Sequence, residues 1–160
     1  MKISGRKRRL PYERIFGGSK EISWKFLQAL PDSERQRYHE SVLQMAIVQY
    51  LRENYPKVIF KCDTSAVRVS VGQAVKMKKL GNTRAWPDLY IAEPRRNYYG
   101  CFLELKKDGE RIARENGNWV SPHVAEQAEM LENLTKRGYY AEFATGFSEA
   151  KKAIDWYLGK

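Results

Sequence analysis

The chain is poor in cysteine and histidine and has no long apolar run. It holds two residues of each type among 160, at spacings that match neither a CxxC motif nor a zinc site. Because Cys62 and Cys101 both lie in apolar, strand-like segments, we predict free thiols and expect a reducing cytoplasm. No stretch is long enough to cross a bilayer and no apolar signal region is visible, so we expect no membrane association.

Acidic residues are outnumbered, and much of the basic excess is concentrated near the N-terminus. The formal net charge is +10, of which +6 falls within residues 1–20. A basic arm on a less basic body favours a polyanionic partner, most simply nucleic acid. The alternative is a solvated terminus that only improves solubility. The arm residues that we expect to contact nucleic acid are Arg6, Lys7, Arg8 and Arg9.

Length and composition predict one folded domain behind this arm. With 42% hydrophobic and 12% aromatic residues, the chain can bury a core. We predict that residues 1–33 form the basic arm and a short apolar docking segment, and that residues 34–160 form the domain. The docking segment is expected to pack onto the domain, although its aromatic residues could instead anchor another protein. Its apolar residues are Ile22, Trp24, Phe26, Leu27 and Leu30.

The periodicity of the apolar residues predicts an α/β domain. The predicted helices are 34–54, after a capping box at Ser33, then 73–80, 122–137 and a last helix capped by Ser148. The predicted strands are 58–62, a further strand through Val67, Val69 and Val71, a hairpin of 86–92 and 99–107, and 139–145. This order favours a mixed central β-sheet with helices on its faces.

The second hairpin strand carries an acid and an amine on one face. Period-two geometry places Glu104 and Lys106 together and leaves the opposite face to apolar residues, namely Cys101, Leu103 and Leu105. A turn centred near Arg96 would put Asp88 directly opposite Glu104, with the Cβ atoms about 5 Å apart. Two carboxylates that close repel each other unless a cation lies between them, and oxygen ligands favour Mg²⁺ or Mn²⁺. The alternative is a solvated strand face.

Two polar residues fall on helix faces that are expected to be buried. Glu40 lies three residues before Leu43 on the apolar stripe of the first long helix, and Gln127 lies on the apolar face of helix 122–137. A buried polar group requires a partner. Glu40 could sit at the rim of the core, and Gln127 could satisfy a loop backbone. Beside Asp88 and Glu104, however, we interpret Glu40 as a ligand of metal or water.

A basic cluster precedes the hairpin. These side chains could position phosphates near the carboxylates or could equally form a solvated face. The residues concerned are Lys76, Lys78, Lys79 and Arg84.

These motifs together resemble a known nuclease core. Pro87-Asp88, a 15-residue gap and Glu104-Leu105-Lys106 resemble the PD-(D/E)xK nuclease motif. The helix with Glu40, the helix with Gln127 and the segment from Gly81 to Leu89 are similar to the VRR-NUC branch, whose members occur in phage and bacterial replication and repair. The likeness spans roughly residues 34–158. Trp86 departs from it, because small residues are frequent at that position in the branch.

The resemblance implies a restriction-endonuclease-like core and a metal-dependent DNA endonuclease. The expected location is the cytoplasm, either of a bacterium or of the host of a phage that encodes the protein. Asp88 and Glu104 would hold Mg²⁺ or Mn²⁺, with the Leu105 carbonyl as a backbone ligand and Glu40 completing the shell directly or through water. Lys106 would activate that water, Gln127 would hold water or Lys106, and the product would carry a 5′-phosphate. Cleavage of both strands by a single-site enzyme would favour a homodimer. The competing functions are a noncatalytic nucleic-acid-binding module and an assembly protein.

Overall fold

The computed structural model describes residues 23–63, 70–81 and 83–159. Within these ranges the helices are α1 (Trp24–Ala29), α2 (Asp32–Arg35), α3 (Glu40–Asn54), α4 (Val71–Lys79), α5 (Pro122–Thr135) and α6 (Gly146–Leu158). The strands are β1 (Phe60–Cys62), β2 (Leu89–Ile91), β3 (Cys101–Lys106) and β4 (Tyr140–Thr145). The predicted arm contacts Arg6, Lys7, Arg8 and Arg9, together with Ile22, Val67 and Val69, lie outside the described residues.

The four strands form a mixed sheet in the order β1-β2-β3-β4, which confirms the predicted fold class. The first three strands are antiparallel neighbours, and β3 pairs with β4 in parallel. Leu89 lies opposite Leu103, so the next pair along the hairpin is Asp88 and Glu104, as predicted. Arg96 and Asn97, with φ angles of 51° and 67°, form the tight turn between the paired residues Arg95 and Tyr98. Residues 92–94 then lie across from residues 99–100, and this one extra residue on the β2 side brings Leu89 opposite Leu103.

Helices cover both faces of the sheet. One face packs with α1, α3 and α6 around residues that include Leu89, Leu103 and Leu105. Because β3 and β4 are parallel, the chain must cross back between them, and α5 makes this crossover on the opposite face. Every residue of β3 is therefore buried, including Glu104 and Lys106. The alternative of a solvated strand face for these two residues was wrong.

Several predicted element boundaries were wrong. The residues near Ser33 form only the short α2, and α3 begins at Glu40, where His39 Nδ1 accepts a hydrogen bond from Ser41 N at 3.2 Å. Val71 opens α4 instead of extending a strand, because Ser70 and Gln73 form a capping box. The last helix starts at Gly146, so Ser148 lies inside its first turn.

The apolar docking segment packs on its own chain. The Trp24 ring lies 5.0 Å from that of Tyr50 and 6.1 Å from that of Phe147, between centroids. Its Nε1 donates to Glu53 Oε2 at 2.8 Å, and Leu27 is buried in the core. These contacts within the chain occupy the face of Trp24 that docking onto another protein would require. The proposed domain boundary at residue 33 stays a prediction.

Asp155 ties α6 to α3 and makes stability depend on pH. Its Oδ1 accepts from the hydroxyls of Tyr50 and Tyr55 at 2.5 and 2.6 Å, and its Oδ2 accepts from Lys151 Nζ at 2.7 Å. Burial alone would raise the pKa of Asp155, but these hydrogen bonds outweigh it and lower the pKa below its ordinary value. The stabilising contribution of Asp155 is therefore present above about pH 4 and is lost as the pH falls through the lowered folded-state pKa.

We expect Asp155→Asn to reduce the free energy of unfolding by about 2 kcal/mol at pH 7, because charge-assisted hydrogen bonds become neutral ones. The deficit relative to wild type should shrink as the pH falls below about 4. Urea unfolding followed by circular dichroism across this range measures both effects. Glu115→Gln, an exposed acid in the loop after β3, is the control and should show little deficit. A pH-independent deficit would contradict the assignment.

Candidate active site

Asp88 lies immediately before β2 with both carboxylate oxygens hydrogen-bonded. Its Oδ2 accepts from the Leu105 backbone N–H at 2.8 Å, and its Oδ1 accepts from Gln44 Nε2 at 2.8 Å. The preceding Pro87 is fully buried, which fixes the approach of the chain. The carboxylate is thus held between β3 and α3.

Glu104, Lys106 and Gln127 form a closed network beside Asp88. Glu104 is only 2% exposed. Its Oε1 accepts from Lys106 Nζ at 3.0 Å and from Gln127 Nε2, while Lys106 Nζ also donates to Gln127 Oε1 at 2.9 Å. The contact expected between Gln127 and Lys106 is therefore present, although its role in a reaction stays a prediction.

The carboxylates act on one another electrostatically. The pKa of Glu104 is raised to about 8, first by burial and then by the negative charge of Asp88, against the opposing charge of Lys106. The pKa of Asp88 is raised to about 6, again chiefly by burial; the Leu105 N–H lowers it and the charge of Glu40 raises it. In the absence of a cation, burial and the charge of Asp88 therefore favour the protonated form of Glu104 near neutral pH.

Glu40 is the first residue of α3 and is half-buried. Its charge raises the pKa of both Asp88 and Glu104, which places it within electrostatic reach of the pair. Across residues 23–63, 70–81 and 83–159, however, no three acidic, histidine or cysteine side chains form a ready-made metal-binding group. Direct ligation by Glu40 therefore stays a prediction, and water would have to bridge any gap.

The residues present fit a small divalent cation. The donors are hard carboxylate oxygens, and an added cation would offset the repulsion that raises the pKa of Asp88 and Glu104. Leu105 engages Asp88 through its N–H, so β3 supplies both a backbone donor and the Glu104 side chain. The predicted use of the Leu105 carbonyl as a ligand stays a prediction.

Sequence reasoning missed Gln44, which binds Asp88 directly. A signal was available: Gln44 follows Glu40 by four residues, so both occupy one face of α3 one turn apart. Gln44 and Gln127 approach the acids from α3 and α5, the helices on opposite faces of the sheet. The two amides thus hold the two acids from either side.

The residues of the predicted basic cluster lie at the surface. The three lysines occupy the exposed last turn of α4, and Arg84 Nε pairs with Glu126 Oε2 of α5 at 2.9 Å. Glu126 offsets part of the charge of Arg84. Phosphate contacts by Lys76, Lys78, Lys79 and Arg84 stay a prediction.

None of the helices in the described ranges has the length and apolar character required to cross a membrane.

The four-stranded mixed sheet with flanking helices is consistent with a VRR-NUC nuclease-like fold. The chain is similar to a solved VRR_NUC domain protein, with 25% sequence identity and a TM-score of 0.58 over 76% of this chain and 88% of that chain. No protein-family model and no curated protein matches the chain. The structural likeness supports the VRR-NUC resemblance of the sequence and suggests a nuclease-type domain. Membership of the wider PD-(D/E)xK superfamily and a phage origin stay predictions.

Proposed function

We propose that this chain is a Mg²⁺- or Mn²⁺-dependent DNA endonuclease that hydrolyses phosphodiester bonds in branched or flapped DNA during phage or bacterial replication or repair. The observation that carries the proposal is the buried network of Glu104, Lys106 and Gln127 beside Asp88. Two mutually repelling carboxylates next to a buried amine cost stability, and such an arrangement is typical of a functional site.

Asp88 and Glu104 would hold the cation, with Glu40 reaching it through water. When bound, the ion neutralises charge on the phosphate and makes a nearby water molecule more acidic. The hydrogen bonds from Gln44 and the Leu105 N–H fix the Asp88 carboxylate, so little reorganisation is needed when the ion arrives.

Lys106 would contact the attacking water or a phosphate oxygen. An ammonium group has three N–H donors, and two of those on Lys106 point to Glu104 Oε1 and Gln127 Oε1. We assign the third to the substrate, where it orients the water and offsets developing negative charge. Gln127 is a positioning residue, because it holds both Lys106 and Glu104 and fixes the direction of that third donor.

Asp88→Asn tests the proposal while preserving the local geometry. The carbonyl of the substituted side chain can still accept from the Leu105 N–H, and an amide flip of Gln44 lets Gln44 accept from the new amide. We expect wild type to cut flap, four-way or duplex DNA with Mg²⁺ or Mn²⁺, and Asp88→Asn to lose about 10³-fold in rate. Labelled substrates resolved on denaturing gels, with an EDTA arm for each, measure the rates.

Glu129→Gln supplies a matched carboxyl-to-amide control on the exposed side of α5 and should cut at the wild-type rate. The enzyme proposal fails should neither metal raise cleavage by wild type above that by Asp88→Asn on any of the DNA substrates.

A noncatalytic nucleic-acid-binding module is the second candidate, because the net charge of +10 favours DNA binding without requiring the buried acids. In that case wild type and Asp88→Asn would bind DNA with the same salt dependence, and neither would cut it. Tight binding of DNA without cleavage would favour this candidate over the enzyme.

A further inference from the structure

Trp86 is an exposed aromatic residue held rigidly next to the candidate active site. It precedes Asp88 by two residues, and the intervening Pro87 is fully buried. Its ring lies perpendicular to that of Phe102 at 5.4 Å between centroids, yet 42% of the residue remains exposed. The preceding Ala85 has a φ of 60°, which is unfavourable for a residue other than glycine and persists only where the surrounding structure holds it.

The indole borders two concave spaces of similar size. One has a volume of about 460 Å³ and is also lined by Lys61, Asp63 and Tyr90. The other has a volume of about 450 Å³ and lies between Trp86 and the C-terminal part of α5. Both volumes are in the range of small-ligand sites. Trp86 is thus a wall shared by two openings, an arrangement that packing against Phe102 alone does not require.

The chemistry of the second space suits a nucleobase. Tyr139 and Phe102 supply aromatic surface, while Arg137 and Asn133 supply a cation and an amide. A base can stack on the indole while its phosphate lies near the exposed Arg137 guanidinium. The first space is less suitable for a phosphate-bearing ligand, because the Asp63 carboxylate lines it together with Lys61. Charge therefore favours the space beside α5.

We infer that Trp86 is a stacking platform for an unpaired DNA base next to the phosphodiester that is cut. The inference rests on the proposed function and deepens it by naming the feature of the substrate that is recognised. Bases inside a duplex have both faces covered by their neighbours, so only an unpaired base can present a face to the indole. Trp86 would then be a positioning residue, and it would give the enzyme a preference for flaps and junctions.

The test is binding in EDTA, where cleavage does not interfere. Fluorescently labelled oligo-dT and an abasic strand of equal length, which has the same charge but no bases, are titrated with protein and followed by polarisation. We expect wild type to bind oligo-dT about 5- to 100-fold more tightly than the abasic strand. Trp86→Leu should remove this difference, and Trp86→Phe should keep most of it. Trp156→Leu, at a residue 44% exposed on α6, should leave the difference unchanged.

A structural role for Trp86 would lower affinity for both strands alike, so the ratio between them isolates stacking. Thermal unfolding confirms that each variant is folded, and Trp86→Met, which also lacks the ring and should also remove the difference, covers the case in which Trp86→Leu is not. The inference is overturned if wild type binds both strands equally or binds neither, or if Trp86→Leu retains the wild-type ratio. Base-dependent binding that needs Trp86, without cleavage, would remove the proposed function and leave Trp86 as a base-stacking residue of a binding protein. Cleavage with base-independent binding would remove only the role of Trp86.

Discussion

Glu104→Gln should abolish metal-dependent cleavage while leaving the folded protein at least as stable as wild type. The loss in rate is expected to be about 10³-fold or more, because the variant removes a carboxylate that we assign to the cation. The amide keeps an oxygen that can accept from Lys106 and Gln127, so the network around it has no reason to collapse. A buried ionisable group at a functional site lowers the stability of the fold, so its replacement by a neutral group should raise the free energy of unfolding.

The stability half of this expectation follows from burial and repulsion. Glu104 is almost fully buried and lies next to Asp88, and both effects raise its pKa, which means that the ionised form is disfavoured in the fold. At pH 7 the Glu104 carboxyl is ionised in the unfolded chain, so folding must either protonate it or bury its charge beside Asp88, and a neutral isostere avoids that cost. Lys106 loses one ionic partner, but the charges of Asp88 and Glu40 remain within electrostatic reach of this pocket.

The measurement combines cleavage rates with urea unfolding in EDTA at pH 7. Glu129→Gln on the exposed side of α5 is the matched control and should change neither quantity. A Glu104→Gln variant that cuts DNA within about tenfold of wild type would contradict its assignment as a ligand. A variant that is inactive because it is unfolded would contradict the stability argument instead.

The part of the fold that was predictable is the part governed by local periodicity. Alternating Cys101, Leu103 and Leu105 predicted β3, and the sequence spacing about Arg96 predicted that Asp88 would extend the register opposite Glu104. Ser121 and Pro122 correctly marked the start of α5, because a capping side chain followed by proline is a strictly local signal. These features need no knowledge of the rest of the molecule.

The errors arise where tertiary contacts override local signals. Both faces of β3 are buried because its parallel pairing with β4 requires a crossover, which α5 makes over the second face. No local pattern in the sequence specifies that pairing. The late start of α3 has a similar cause. Ser33 and Glu34 fit a capping box, but the chain forms only the short α2 there, and the Arg35 side chain is buried. Gln44 was missed because an amide on a helix gives no signal until its acidic partner is placed.

Arg35 is the other residue for which a large effect is expected, this time on stability alone. It is 7% exposed, and its guanidinium joins three segments of the chain. Nε donates to Asp108 Oδ1 at 2.9 Å, Nη1 donates to the Leu30 carbonyl at 2.6 Å, and Nη2 pairs with Asp32. Asp108 follows the end of β3 by two residues, so this ion pair fastens α1 and α2 to the loop beside the candidate active site.

Arg35→Met should therefore lower the free energy of unfolding by about 3 kcal/mol, because it leaves the largely buried Asp108 carboxylate and the Leu30 carbonyl without their donor. For a chain of this length the midpoint of thermal unfolding should fall by roughly 6–12 °C. Arg37→Met, an exposed arginine two residues away, is the control and should change the midpoint little. Thermal and urea unfolding in EDTA measure both variants.

A double-mutant cycle separates the ion pair from the packing of the arginine stem. Asp108 has little room to adapt, since its carboxylate lies so close to Gly146 that a Cβ there would clash with it. Adding Asp108→Asn to Arg35→Met removes the uncompensated charge, so the double variant should be more stable than the sum of the single losses by about 1 kcal/mol or more. Strict additivity would mean that the loss comes from the packing of the Arg35 stem, and that the ion pair with Asp108 does not hold α2 against the loop.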